Sequence, residues 1–274
     1  MTPRIATAMN SPSPQLLTSH EIGALVELVN KERLMQAERG ARALLQRCPD
    51  AGILWKILGV ALVRQGKEAL QELRRAAELM PHDAEAHANL GAALHDGQRW
   101  VECLVSLQRA LAIEPHNIEA LVDAANATKA LGRAHDAVPL YLRALQLDPC
   151  LPEAQNNLGN AYLELGQFDA AAGCYRRALE IAPEQAQVHC NLGNALRQLG
   201  RLEEAMASTR RALALDPTLS VAHNNLGLIL GAQGHLAQAA ASYRRALSLN
   251  PNDVDARSNL ASAVRHRGQA RAPN

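Results

Sequence analysis

The chain has 274 residues with 28 Lys+Arg against 27 Asp+Glu, a formal net charge of +1, so any affinity for nucleic acid would need a local patch. Hydrophobic residues make up 48% and charged residues 20%, enough apolar material for a packed core and too much for intrinsic disorder. Aromatics are only 3% while Ala and Leu dominate, a balance that favours helices and excludes an all-β architecture.

Residues 1–17, rich in Ser, Thr and Pro, are expected to form a disordered leader, because they lack the apolar block of a signal peptide. No apolar run approaches the length that crosses a bilayer, so no membrane insertion is expected. Thr18-Ser19-His20-Glu21 has capping-box spacing ahead of the apolar Ile22–Val26, and order is expected to begin there. The five cysteines, Cys48, Cys103, Cys150, Cys174 and Cys190, include no C-x-x-C pair, which signals neither a disulfide framework nor a zinc site. A reducing, cytoplasmic setting is expected.

Beyond the leader the chain repeats. Pro81, Pro115, Pro149, Pro183, Pro217 and Pro251 stand 34 residues apart, and Pro49 precedes them at 32. With each proline numbered 32 in its repeat, Leu-Gly pairs at 90–91, 158–159, 192–193 and 226–227 occupy positions 7 and 8. Gly132, Gly166, Gly200 and Gly234 occupy position 15, small Ala137, Ala171, Ala205 and Ala239 position 20, and Tyr141, Tyr175 and Tyr243 position 24. A glycine at 15 ends a first helix in the left-handed cap conformation and the proline stops a second, so the repeat is a helical hairpin. Glycine at 8 lets the paired helices approach, and the large residue at 24 is expected to fill the space between hairpins. Asp83, Asn117 and Asp253 stand at N-cap positions. Pro139 is expected in the opening turn of a second helix, and the stretch from Gly66 to Ala69 lacks two residues.

These landmarks resemble the tetratricopeptide repeat family over roughly residues 18–268. The resemblance implies an all-α fold, a right-handed α-solenoid (superhelix). Seven hairpins are counted, then a lone capping helix from Val254 that is expected to turn Leu260 and Val264 inward, and residues 269–274 are expected to form a disordered tail. Leu25, Val26, Leu28 and Val29 crowd the first helix and leave that end less polar.

In this family the first helices line the concave face. Position 6 there holds Asn89, Asp123, Asn157, Asn191, Asn225 and Asn259; position 9 adds Asn126, Asn160 and Asn194, and position 5 adds Asn156 and Asn224. A carboxamide donates and accepts at once, matching the main chain of an extended peptide, so these residues are the candidate peptide-binding site. The other reading is that they bond neighbouring helices. The file also resembles the superhelical arm of O-GlcNAc transferases, which implies as alternative a substrate arm serving a glycosyltransferase; no nucleotide-sugar site can be placed in these residues. The expected function is that of a non-catalytic scaffold for a protein or extended peptide partner, with no cofactor and no metal, and a homodimer or larger assembly left open.

Arg74-Arg75, Arg109, Arg143, Arg176-Arg177, Arg210-Arg211 and Arg244-Arg245 form a stripe on the second helices. Cations toward a helix C-terminus complement its dipole, which leaves nucleic acid a disfavoured partner. His87, His189 and His223 recur at position 4 as structural residues, and no phosphate loop, H-E-x-x-H or G-x-S-x-G is present. The grip on chaperone tails is disfavoured, since Glu119 and Asp123 stand where that clamp needs cations. Glu85, Asp96, Glu119, Asp123, Glu153 and Glu164, against a single Lys129, make the earlier inward positions acidic, whereas Arg197 and Arg265 follow later, so the groove is expected to be polarised.

Overall fold

The computed structural model describes residues 17–269, and all regular structure among them is helical. The expected leader and tail lie outside the described residues, apart from Leu17 and Gln269. Fifteen helices follow one another: α1 (Ser19–Asn30), α2 (Leu34–Arg47), α3 (Gly52–Arg64), α4 (Leu70–Leu79), α5 (Ala84–Asp96), α6 (Trp100–Ile113), α7 (Ile118–Ala130), α8 (Ala134–Leu147), α9 (Pro152–Glu164), α10 (Phe168–Ile181), α11 (Ala186–Gln198), α12 (Leu202–Leu215), α13 (Ser220–Ala232), α14 (Leu236–Leu249) and α15 (Val254–Gln269). They pack as consecutive hairpins and divide into two compact units, Met1–Ala127 and Thr128–Asn274. In the first unit the first helices α1, α3 and α5 lie side by side, backed by α2, α4 and α6. In the second, α9, α11, α13 and α15 do so, backed by α10, α12 and α14.

Position 15 sets the hairpin turn in all seven cases. Gly66, Gly132, Gly166, Gly200 and Gly234 have φ between 68° and 81°, and where glycine is missing Glu32 and Gln98 adopt the same left-handed conformation at 56° and 55°. The turn is thus held by the packing of the two helices, with glycine removing the strain. Asp83, Asn117 and Asp253 cap their helices as the sequence predicts, accepting from backbone N–H groups at 2.8–2.9 Å, and Thr18 with Glu21 forms the reciprocal capping box.

Close approach occurs inside each hairpin. A Cβ on Gly159 would lie 2.6 Å from Tyr175 Cε1, one on Gly227 2.5 Å from Tyr243 Cε1, and one on Gly91 2.6 Å from Leu107 Cδ2. Position 24 therefore fills the notch at position 8 of its own hairpin, and Tyr175 also lies in a buried cluster that runs on through Val188, Leu192 and Leu196 of the next hairpin. The two residues missing after Gly66 cost α4 its first turn: it has 10 residues where α6 has 14. Two further expectations are corrected. Pro139 is the sixth residue of α8, beyond the opening turn, where its missing N–H removes one helical hydrogen bond. In α15 Leu260 packs inward against the core as expected, but Val264 is 47% exposed, and the fully buried positions are the small Ala256 and Ala263.

Candidate functional site

The residues singled out in the sequence lie on the first helices, and the structure shows what each faces. In the second unit they form a ladder. Asn259 Nδ2 donates to Asn224 Oδ1 at 3.1 Å; Asn225 Nδ2 reaches Cys190 Sγ at 3.3 Å and its carbonyl at 3.5 Å; Asn191 Nδ2 donates to Asn156 Oδ1 at 3.1 Å and Asn160 Oδ1 at 3.2 Å. In every case position 6 of one repeat donates to position 5 of the repeat before it, 35 residues earlier. The ladder is a stitch between neighbouring first helices.

The stitch has side branches. Tyr175 donates its hydroxyl to Asn160 Oδ1 at 2.8 Å, Gln187 donates to Asn191 Oδ1 at 2.9 Å, Asn156 Nδ2 donates to Asn157 Oδ1 at 3.3 Å, and Arg197 donates to Asn194 Oδ1 at 3.0 Å. Asn224 and Asn225 are 9% and 6% exposed, so these amides are core-like. Each such bond is worth only about 0.5–1.5 kcal/mol net, but leaving a buried amide unpaired costs more, about 1–3 kcal/mol.

The first unit lacks this stitch. Asn89 Nδ2 is shielded from solvent and has no acceptor among the described residues. The reason lies in the repeat before it, where position 5 is Lys56, a side chain that donates and cannot accept. Lys56 is instead drawn to Asp83 at 2.9 Å and Glu85 at 2.7 Å. Desolvation opposes its charge, but these two carboxylates prevail and raise its pKa. Asp123 and Asn126, half-buried on α7, are engaged in interactions of their own. Burial, with the Asp123 charge second, pushes the Cys103 thiol up to about 11.

Cavities open on the same helices. One of about 220 Å³ lies over α1, α3 and α5, with Val26, Ile53 and Val60 among its walls. A second, of about 350 Å³, adjoins it through Val60, Arg64 and Glu85 and continues past Asn89 to Asp96 and Glu119. In the second unit a cavity of about 270 Å³ lies among α13, α14 and α15, lined by Leu228, Tyr243 and His266 among others.

The remaining expected residues find structural roles. His87, His189 and His223 each set Nε2 against the carbonyl of the proline six residues earlier, at 3.2, 2.9 and 2.9 Å. Trp55 and Arg257 donate to Pro49 and Pro251 in the same way, at 2.7 and 2.6 Å. Position 4 thus caps the turn between repeats, a role missed in the sequence although the shared six-residue spacing from proline was there to find. On the outer helices Arg74 pairs with Glu102 at 3.0 Å and Arg176 with Glu204 at 3.3 Å, joining one second helix to the next. Burial also pushes the Cys190 thiol up to about 11, which keeps it neutral at ordinary pH. No group of His, Cys, Asp and Glu that could hold a metal occurs among the described residues.

Among the described residues no helix is long and apolar enough to cross a membrane. No curated protein matches the chain by sequence. Among solved structures the fold is similar to the APC/C hetero-tetramer Cut9–Hcn1, at 17% identity and a TM-score of 0.67 over 89% of this chain and 49% of that one. The chain thus spans about half the length of that neighbour. YrrB, described as a tetratricopeptide-repeat protein with an unusual peptide-binding site, matches at 21% identity and a TM-score of 0.58 over 69% of this chain and 97% of its own. MamA matches at 20% identity and a TM-score of 0.55 over 59% of this chain and 95% of its own. Three tetratricopeptide-repeat family models match residues 125–166, 156–220 and 220–253. These matches make residues 125–253 a run of tetratricopeptide repeats, and the helical hairpins that precede them share the same architecture.

Proposed function

We propose that the chain is a non-catalytic interaction protein that holds an extended polypeptide along the face built by its first helices. The observation that carries this reading is that cavities of about 220, 350 and 270 Å³ open where successive first helices meet, beside one of about 260 Å³ that lies mainly against the second helices α4 and α6. An extended chain advances ~3.3 Å per residue and packed helices stand ~8–10 Å apart, so such a segment meets a new first helix about every third residue. Tetratricopeptide repeats are in general protein-interaction modules, and one structural neighbour, YrrB, is described as binding peptide.

The asparagines serve this face in two ways. Asn191, Asn225 and Asn259 fix the spacing of neighbouring first helices through their stitch. Asn89, Asn126, Asn160 and Asn194, with the carboxylate Asp123, supply polar groups for the ligand's main chain, while Asn156, Asn157 and the nearly buried Asn224 belong to the stitch that orients them.

The test is selection of displayed random peptides against the purified chain, followed by hydrogen exchange with a selected peptide bound. Protection confined to first helices is the expected outcome. Failure to select any peptide, or protection of the second helices only, overturns it. A captured natural partner with glycosyltransferase activity would favour the second reading, a substrate arm for such an enzyme, which rests on the asparagine file.

A further inference from the structure

The two adjoining cavities of the first unit form one groove whose ends differ in character. Over α1 and α3 the floor is apolar, with Val26 39% exposed and Ile53 and Val60 beside it. Over α5 and the start of α7 the groove carries Asp96 and Glu119. Glu119 has no ion pair among the described residues, and Asp96 is paired there only with the neighbouring His95 ring, Nδ1 at 3.8 Å. Glu85, between the two ends, is already paired with Lys56, and Arg64 stands on α3 where the cavities join.

We propose that this groove binds a polypeptide segment carrying an apolar side chain and, about five residues along, Lys or Arg, with the apolar residue over α1–α3 and the basic one over α5–α7. The inference rests on the polypeptide-binding function proposed above and names the class of segment. Three features support it. Complementary charge at Asp96 and Glu119 attracts the basic end, while Arg64 repels a basic residue placed over α3 and so fixes the register. The spacing follows from two helix-to-helix steps of ~8–10 Å each at ~3.3 Å per residue. Asn89 lines the groove with an amide donor that no group among the described residues accepts, and its soft terminal torsion lets that donor turn to a main-chain carbonyl. The same acidic end disfavours nucleic acid and anionic lipid.

Three labelled ten-residue probes of Gly and Ser test it by fluorescence anisotropy on the full chain. One carries Leu and, five residues on, Lys-Lys; in the second Glu-Glu replaces the lysines; in the third Ser replaces Leu. The Leu–Lys probe should bind at least about tenfold more tightly than either other probe at low salt, and its margin over the Glu probe should shrink at high salt. Glu119→Lys and, separately, Asp96→Lys should remove that margin, Val60→Glu should remove the preference for Leu, and Asn89→Ala should weaken the Leu–Lys probe several-fold with helicity unchanged. Both charge reversals sit on exposed positions, so at least one folded variant is expected, as circular dichroism will verify. Equal affinity for the Lys and Glu probes, or an unaltered margin in both folded variants, overturns the inference. If no probe binds while randomly displayed peptides are still selected, the segment class is wrong and polypeptide binding stands; if neither binds, both fall.

Discussion

Asn225 and Asn89 occupy the same register, six residues into a first helix, and differ in what faces them. Asn225 donates to Cys190 in the helix before it, whereas the residue before Asn89 in that register is Lys56, and the Asn89 amide is left without an acceptor. The same side chain is a rivet in one unit and an unspent donor in the other. What decides between them is position 5 of the preceding repeat, 35 residues away in the second unit and 33 in the first, where two residues are missing. An asparagine file on a repeat protein is therefore not a binding surface by virtue of recurrence alone.

The largest expected effect probes the tightest hairpin. A Cβ on Gly193 would collide with Thr209 Oγ1 and come within 3.2 Å of the Ala205 carbonyl, so backbone as well as side chain would have to move. Elsewhere the notch faces a Leu or Tyr side chain that can turn away. Gly193→Leu should destabilise the second unit by about 3 kcal/mol or more, at or beyond the top of the overpacking range. Thermal circular dichroism should show a second-unit transition moved to lower temperature or split from the first. A single unshifted transition would contradict the hairpin packing described for α11 and α12.

Next in size is the contrast itself. Asn225→Ala removes a buried donor from two acceptors and should cost about 1–2 kcal/mol, whereas Asn89→Ala removes a donor that has none and should leave stability unchanged or slightly raised. Urea unfolding of both variants checks this. Equal losses would mean that Asn89 is stitched by a partner the structure does not place.

Much of the fold was legible because proline, glycine and the small residues act locally: position 15 turns every hairpin, even through Glu32 and Gln98. The glycine–Tyr notch was legible as closeness but not as to which helices it joins, since a single repeat unit contains both candidates. The site was only half legible. Sequence placed the asparagines on one face, but whether an amide is spent depends on a side chain in the previous repeat, so no single-repeat pattern could separate Asn225 from Asn89. The proline-capping role of Trp55, His189 and Arg257 was hidden because three chemically different side chains perform it.

A double-mutant cycle sharpens the comparison further. Lys56→Asn places at position 5 the residue found there as Asn156 and Asn224 in the second unit. Asn89→Ala should then cost about 0.5–1.5 kcal/mol in the Lys56→Asn background while costing nothing in the native one. A coupling energy of zero would show that spacing between α3 and α5, rather than the lysine, denies Asn89 its partner.

The smallest expected effect concerns the irregular hairpin that sets the first unit apart. Glu38 on α2 accepts from Lys67 at 2.8 Å, Gln65 at 3.2 Å and Arg42 at 3.1 Å, so its carboxylate ties α2 to the turn between α3 and the shortened α4. The hydrogen bond from Lys67, with lesser help from Arg42 and Gln65, holds its pKa down to about 2 from 4.5. A depressed carboxylate contributes stability that is fully present above the unfolded value and is lost as pH falls through the folded one, here between pH 4.5 and about 2. Glu38→Gln should lower stability at pH 7 by only about 0.2–1 kcal/mol, because the pair with Lys67 is partly solvated. It should also flatten the first unit's acid dependence in that window, which urea titrations at pH 7, 4 and 3 would read. If the variant loses stability with acid as steeply as the native chain, the tie between α2 and the short turn is not what steadies this hairpin, and the packing of Leu73 against Gly59 must do so alone.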